Sequence, residues 1–291
     1  MVRIILGLTL AALLNVAGAN AATLIYGSVY QGPTSASGLW AFAPGGTGPA
    51  FQRIIGPIGF LRVGALDFSP SGKLYGVGAG NGQTVLITID TTTGAGTLVG
   101  SLQQDNLFVQ DIAFRPSDGK LFAFGEGFIF TINTTTGAAT PLGDAGLGFP
   151  FGNSLAFQGS TLYYANETSL YTIDQTTGAA TLVRSISYQP AFGTFPRPAA
   201  MKFDPVAGTL WASVVGGVQD ALATIDPATG QTVVINALPL TTDGIAVTSG
   251  PLPPAPTVSV PTLSEWAQIL MIAVLIVVGL QALRHRRSTL S

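Results

Sequence analysis

The chain predicts an all-β fold, a five-bladed β-propeller whose ring is shut by a strand from the far end of the domain. Three observations lead there. A unit of four short apolar runs recurs along residues 22–249, a turn of Asx followed four residues later by Gly recurs in four of the units, and the first unit has one strand too few.

The first complete unit reads Ala65-Leu66-Asp67-Phe68-Ser69-Pro70, Lys73-Leu74-Tyr75-Gly76-Val77, Val85-Leu86-Ile87-Thr88-Ile89-Asp90 and Gly96-Thr97-Leu98-Val99. Later units open at Asp111-Ile112-Ala113-Phe114, Ser154-Leu155-Ala156-Phe157 and Ala200-Met201-Lys202-Phe203. Short apolar runs bounded by turn residues are strands. The anchors Asp90, Asn133, Asp174 and Asp226 follow one another at 43, 41 and 52 residues, the length of a four-stranded blade. Each anchor has Gly four positions on: Gly94, Gly137, Gly178 and Gly230. An Asx side chain accepts backbone N–H bonds inside a hairpin loop, and Gly takes the positive φ that closes it. Turn chemistry thus accounts for these residues, and no metal site is assigned to them.

Residues 24–56 hold only three strand-like runs, at 24–30, 38–42 and 51–55. The missing inner strand is predicted at 244–247, Gly-Ile-Ala-Val, which repeats the inner-strand pattern. Closure of this one-plus-three kind removes a free sheet edge.

The Phe-x-Pro turn, Lys-Leu-Tyr and Ile-Asp-x-x-Thr-Gly of these units resemble bacterial propeller repeats of the YVTN and lactonase-like type. The resemblance implies the fold and assigns no chemistry.

Alternation along the inner strands predicts two faces. Leu66, Phe68, Ile112, Phe114, Leu155, Phe157, Met201 and Phe203 should pack between blades; small or polar residues, among them Asp67, Asp111, Ser154 and Lys202, should line the central channel. Asp67 and Lys202 share a register, which predicts an ion pair across it. Asp111, Asn153 and Asp243 are expected near one mouth. Asp111 and Asp243 have an alternative reading as the two carboxylates of a propeller hydrolase, glycosidase or lactonase-like. Asp and Asn entering a strand also cap the preceding loop, and Asn153 cannot titrate, so the capping reading is preferred.

Connections from each outer strand to the next inner strand are long and aromatic: Phe60 and Arg62; Gln104, Asp105 and Phe108; Phe149 and Phe151; Tyr188, Phe192, Phe195 and Arg197. Turns at the other end are short and rich in Ser, Thr, Gly and Pro. Aromatics with Arg and amides on one face of a ring fit a binding platform for polysaccharide or for a surface protein. The same rings folded inward would plug the channel. Both readings stand on the sequence.

Composition removes several classes. Residues 22–250 carry eight basic against thirteen acidic side chains, a formal net charge of −5, with no basic stripe for nucleic acid. The only histidine is His285, so histidine triads and histidine-bound metals are excluded from the ring. There is no cysteine, so stability comes from a core and not from disulfides. No cofactor is expected.

Both ends read as addresses. Arg3, an apolar stretch over 4–14 and the small residues Ala19 and Ala21 predict a signal peptide over 1–21, cut by signal peptidase before Ala22. A spacer over 250–259 carries four prolines. Residues 260–291 bring Val260-Pro261-Thr262-Leu263-Ser264-Glu265-Trp266, then an uncharged run over 266–283, then Arg284, Arg286 and Arg287. As a helix the run is roughly 27 Å long, enough to cross a bilayer core, and the arginines predict a cytoplasmic C-terminus.

This tail resembles the IPTL-CTERM sorting signal of Gram-negative bacteria, a relative of the PEP-CTERM signals, with Val260 in place of the usual Ile and Ala267 in place of the usual Gly. The resemblance implies handling by an exosortase-type transpeptidase, with anchorage in the inner membrane before processing and delivery to the cell surface or an exopolysaccharide matrix afterwards. A non-enzymatic binding or structural role is the reading expected for the ring between the two signals.

Overall fold

A computed structural model describes residues 22–254 apart from 31, 33–34, 47–50, 105–106, 149–151, 189–191, 193–194, 217–218 and 240. The signal residues Ala19 and Ala21, the motif Val260, Pro261, Thr262, Leu263, Glu265 and Trp266, the basic Arg284, Arg286 and Arg287, and the loop residues Asp105, Phe149 and Phe151 lie outside the described residues. No helix among the described residues is long and apolar enough to cross a membrane.

Five four-stranded antiparallel sheets form the ring. The first blade is β1 (Thr23–Val29), β2 (Gly38–Phe42) and β3 (Gln52–Pro57). The second is β4 (Leu61–Phe68), β5 (Leu74–Gly80), β6 (Gln83–Ile89) and β7 (Gly96–Ser101). The third is β8 (Val109–Phe114), β9 (Leu121–Gly125), β10 (Phe128–Ile132) and β11 (Ala139–Asp144). The fourth is β12 (Ser154–Gln158), β13 (Thr161–Ala165), β14 (Ser169–Ile173) and β15 (Ala180–Ser185). The fifth is β16 (Arg197–Phe203), β17 (Leu210–Val215), β18 (Ala221–Ile225) and β19 (Thr232–Ala237). The chain then returns as β20 (Thr242–Ser249) to pair with β1, in register Ile25 with Val247 and Tyr26 with Ala246. The ring is a five-bladed propeller with one-plus-three closure, as the short first unit predicted.

The repeated aromatics have a packing reason. At four interfaces a ring on the second strand of one blade meets the inner-strand Phe of the next: Tyr26 with Phe68, Tyr75 with Phe114, Phe122 with Phe157 and Tyr163 with Phe203, at centroid separations of 5.7, 5.2, 5.4 and 5.5 Å. Such offset and edge-on pairs are each worth about 0.5–1.5 kcal/mol beyond the apolar area they bury. At the fifth interface Trp211 and Val247 share a cluster with Ile25, Phe42 and Ile245.

Hydrogen bonds close the turns as the sequence predicts. Asp90 Oδ1 accepts from the N–H groups of Thr92 and Thr93 and from the Thr92 hydroxyl, while Gly94 donates its N–H to the Asp90 carbonyl. In their own turns Asn133 Oδ1 and Asp174 Oδ1 each accept two N–H groups, and Asp226 accepts the Ala228 N–H and the Thr229 hydroxyl.

These turns also lock neighbouring blades. A Cβ on Gly100 would lie 2.0 Å from the Thr136 carbonyl oxygen, and one on Gly143 would lie 2.0 Å from that of Thr177. Each outer strand has a bulge at this level, where one extra residue, Val99 in β7 or Leu142 in β11, bends the strand toward the turn of the next blade.

The start of the proline-rich segment belongs to the ring. Leu252 packs against the first interface, and the Pro253 carbonyl accepts a hydrogen bond from Arg53 Nη1. The stretch at 250–254 is therefore docked and not a free spacer, because Leu252 buries apolar surface there.

Candidate functional site

Inside the channel, Asp111 and Lys202 form a buried ion pair. Lys202 Nζ lies 2.9 and 2.8 Å from the two Asp111 carboxylate oxygens and also donates to the carbonyls of Leu155 and Met201. Asp111 completes its shell with the N–H groups of Ile112 and Leu155. Small residues on the intervening strand β12, Ser154 and Ala156, leave the lysine room to reach two blades away.

This corrects two expectations. Lys202 pairs with Asp111 and not with Asp67, which instead accepts N–H bonds from Phe68 and, across the blade gap, from Phe114. Asp111, expected near the mouth, is fully buried and spent on the Lys202 ion pair, whereas Asp243 lines the mouth. Burial pushes the Asp111 carboxyl up, and Lys202 opposes that push. Burial likewise raises Asp67, to about 6, against the pull of Lys202.

The loop face holds an open cavity of about 620 Å³ over the channel. Its wall includes Tyr30, Arg62, Phe108, Gln110, Arg197 and Asp243. Strand irregularities place most of them. β4 loses its pairing between Leu61 and Ala65, β8 between Val109 and Asp111, β16 between Pro198 and Ala200, and β20 shifts register against β1 between Gly27 and Val29. The residues displaced by these shifts, Arg62, Gln110, Ala199 and Asp243, are the ones that line the opening. A bulge re-aims a side chain in this way and is over-represented beside functional sites.

Electrostatics at the mouth are mixed. Burial raises the Asp243 carboxyl to about 6, repulsion from Asp220 adds to the rise, and Arg197 offsets part of it. Asp220 is itself raised by burial, against an N–H bond from Thr242 at 3.1 Å. Asn153 lines the same cavity and accepts a hydrogen bond from the Tyr164 hydroxyl. Among the described residues no group of three or more His, Cys, Asp or Glu is placed to hold a metal.

The structure divides the aromatic loop residues. Phe108 is 61 % exposed and Phe195 77 % exposed, both on the loop face. Phe192 is buried and meets Tyr188 edge-on at 5.6 Å, inside the interface core between the fourth and fifth blades. Phe60 packs against the interface of the first and second blades. The platform reading thus fits Phe108 and Phe195, and inward packing takes Phe60, Phe192 and most of Tyr188. Glycine makes room for the exposed pair: a Cβ on Gly125 would come within 2.9 Å of the Phe108 carbonyl oxygen, and one on Gly216 within 1.9 Å of that of Phe195.

Sequence reasoning missed Tyr30 and Gln110. Tyr30 follows β1 in the one unit without its own inner strand, and Gln110 precedes Asp111 at a bulge that period-two alternation does not register. The opposite face carries a separate depression lined by short turns, with Ser69, Pro70, Gly159 and Pro205 beside Lys202, and it shares no lining residue with the mouth.

No family model matches the chain, and no curated protein matches it. Solved structures do. A chain of a nidogen/laminin complex superposes with a TM-score of 0.50 at 12 % identity, over 77 % of this chain and 97 % of that one. TolB from Acinetobacter baumannii gives a TM-score of 0.47 at 14 % identity, over 76 % of this chain and 54 % of that one. At 12 % identity the likeness to the nidogen/laminin chain shows the fold alone.

Proposed function

We propose that the ring is an exported, non-enzymatic binding module of the cell surface or matrix. It takes a polysaccharide on its loop face and is sorted by an exosortase-type system through its C-terminal tail. The observation that carries the binding reading is the pair of exposed rings, Phe108 and Phe195, beside a concave mouth whose polar wall is re-aimed by bulges. Exposed phenyl faces cost apolar surface in water and gain it back by stacking on the C–H faces of sugars. Arg62, Gln110 and Arg197 supply donors for hydroxyl or carboxylate groups. Export and sorting rest on the signal-like N-terminus and the IPTL-CTERM-like tail, read from the sequence.

Affinity electrophoresis of the ring through gels containing neutral and acidic matrix polysaccharides tests the binding. Retardation by at least one polymer, lost in Phe108→Ala and Phe195→Ala, is the expected outcome; migration of both variants identical to the unaltered ring ends the proposal. Mass spectrometry of the termini of the native protein tests the sorting, with Ala22 expected as the first residue.

A further inference from the structure

We infer that the ligand is a linear polymer of carboxylate-bearing sugars, laid across the loop face in a trench whose middle is the mouth. This rests on the saccharide reading above. The mouth is the central one of three contiguous depressions. Arg62, Phe108 and Val109 are common to the mouth and to a depression of about 690 Å³ over the second blade. Arg197 is common to the mouth and to a depression of about 720 Å³ lined by Glu167, Tyr188 and Phe195. A single sugar fills one such hollow, whereas three in series with shared walls match a chain.

Each end of the trench pairs an arginine with an exposed ring. Arg62 and Phe108 both stand on the boundary at one end, and at the other Arg197 stands on the boundary with Phe195 in the depression beyond it. A uronate presents a C–H face and a carboxylate, and a phenyl ring beside a guanidinium offers a partner for both. The guanidinium fork matches a carboxylate through two parallel hydrogen bonds, which a neutral sugar cannot use.

The two arginines divide the work. Arg197 sits in the field of Asp220 and Asp243, which balances its charge. Arg62 is exposed and makes no hydrogen bond or ion pair with the described residues, and its backbone is held at φ 49°, a sparsely populated conformation for a residue with a side chain. Strain of that kind persists where the surroundings impose it, and it clusters at ligand clamps. With a net charge of −5 on residues 22–250, no long-range field draws a polyanion to the ring, so acceptance of one falls to this local cation.

Calorimetric titration with polygalacturonate, with the same polymer after carboxyl reduction, and with oligogalacturonates of rising length tests the inference. The acidic polymer should bind more tightly than the reduced one, and affinity should climb with oligomer length. Arg62→Gln should weaken the acidic polymer roughly tenfold and the reduced polymer much less. Equal binding of both polymers, indifferent to Arg62→Gln, overturns the acidic specificity while the saccharide reading stands. A shortest oligomer that binds as tightly as the polymer overturns the trench. Failure of both polymers, and of every polysaccharide in the gel assay, removes the reading beneath it.

Discussion

Asp67 and Asp111 lace the inner strands together. Neighbouring inner strands share no ladder, and each of these carboxylates accepts one N–H from the residue after it and one from the inner strand of the next blade. The cost is desolvation, which holds Asp67 and Asp243 near 6 and raises Asp111 as well. A carboxyl raised by folding binds its proton more readily in the folded state, so its contribution to stability grows as pH falls through the folded value. Hydrogen bonds from the Thr92 hydroxyl and from the Thr93 and Thr92 N–H groups act oppositely on Asp90, lowered to about 2, and that contribution fades only below the ordinary carboxylate range. No histidine lies between residues 22 and 254 to mask the effect. The melting temperature of the ring should therefore rise as the pH is lowered from about 7.5 to about 5 and fall again below about 4. Asp67→Asn, which removes the titration and keeps one acceptor oxygen for one of the Phe68 and Phe114 N–H groups, should flatten the first limb. A melting temperature that drops steadily from pH 7.5 downward would contradict this account of the channel.

The blade was legible from sequence because its signals are local: Asx and Gly four residues apart, period-two alternation, and a Phe returning with every inner strand. The bulges were not. One extra residue inverts every side chain beyond it, and nothing in Gln110 or Val99 announces the slip. For the same reason Gln110 was absent from the expected mouth, whereas the partner of Lys202 was misassigned because its long side chain reaches past the level of Asp67 to Asp111. Gly100 and Gly143 are contact surfaces between blades. Gly100 does not have a positive φ, so its replacement isolates packing from backbone strain. Gly100→Ala drives a methyl group to 2.0 Å from the Thr136 carbonyl and must part the second and third blades. We expect a loss of about 1–3 kcal/mol in a chemical denaturation experiment, the usual range for overpacking. Gly72→Ala, at a turn with φ 80° and no atom within 4 Å of the added methyl, serves as the comparison that carries strain alone. A Gly100→Ala ring as stable as the unaltered one would show that the blades slide freely at this contact.

At the scale of the molecule, the ring depends on β20 in two ways. It gives β1 a partner along Leu24–Val29, and it seals the fifth interface, where Ile245 and Val247 lie among Ile25, Phe42, Ala200 and Trp211. Each of those two side chains stabilises by roughly 1.5–3 kcal/mol on burial. The loss on removing the strand is larger than their sum, because the pairing also hides the backbone of β1, and an exposed strand edge recruits other chains. A chain ending at residue 241 should lose the sharp thermal transition shown by a chain ending at residue 254, and should elute from a sizing column as oligomers joined through β1. Adding a peptide of residues 242–254 in trans should restore both the monomer and the transition, since the strand enters the first blade as a separate segment. If the shortened chain instead melts sharply as a monomer, the four remaining blades are a self-sufficient solenoid and closure is ornamental. The test also bears on the mouth: Asp243 sits on β20 and Tyr30 follows β1, so the peptide should restore polysaccharide retention along with the fold.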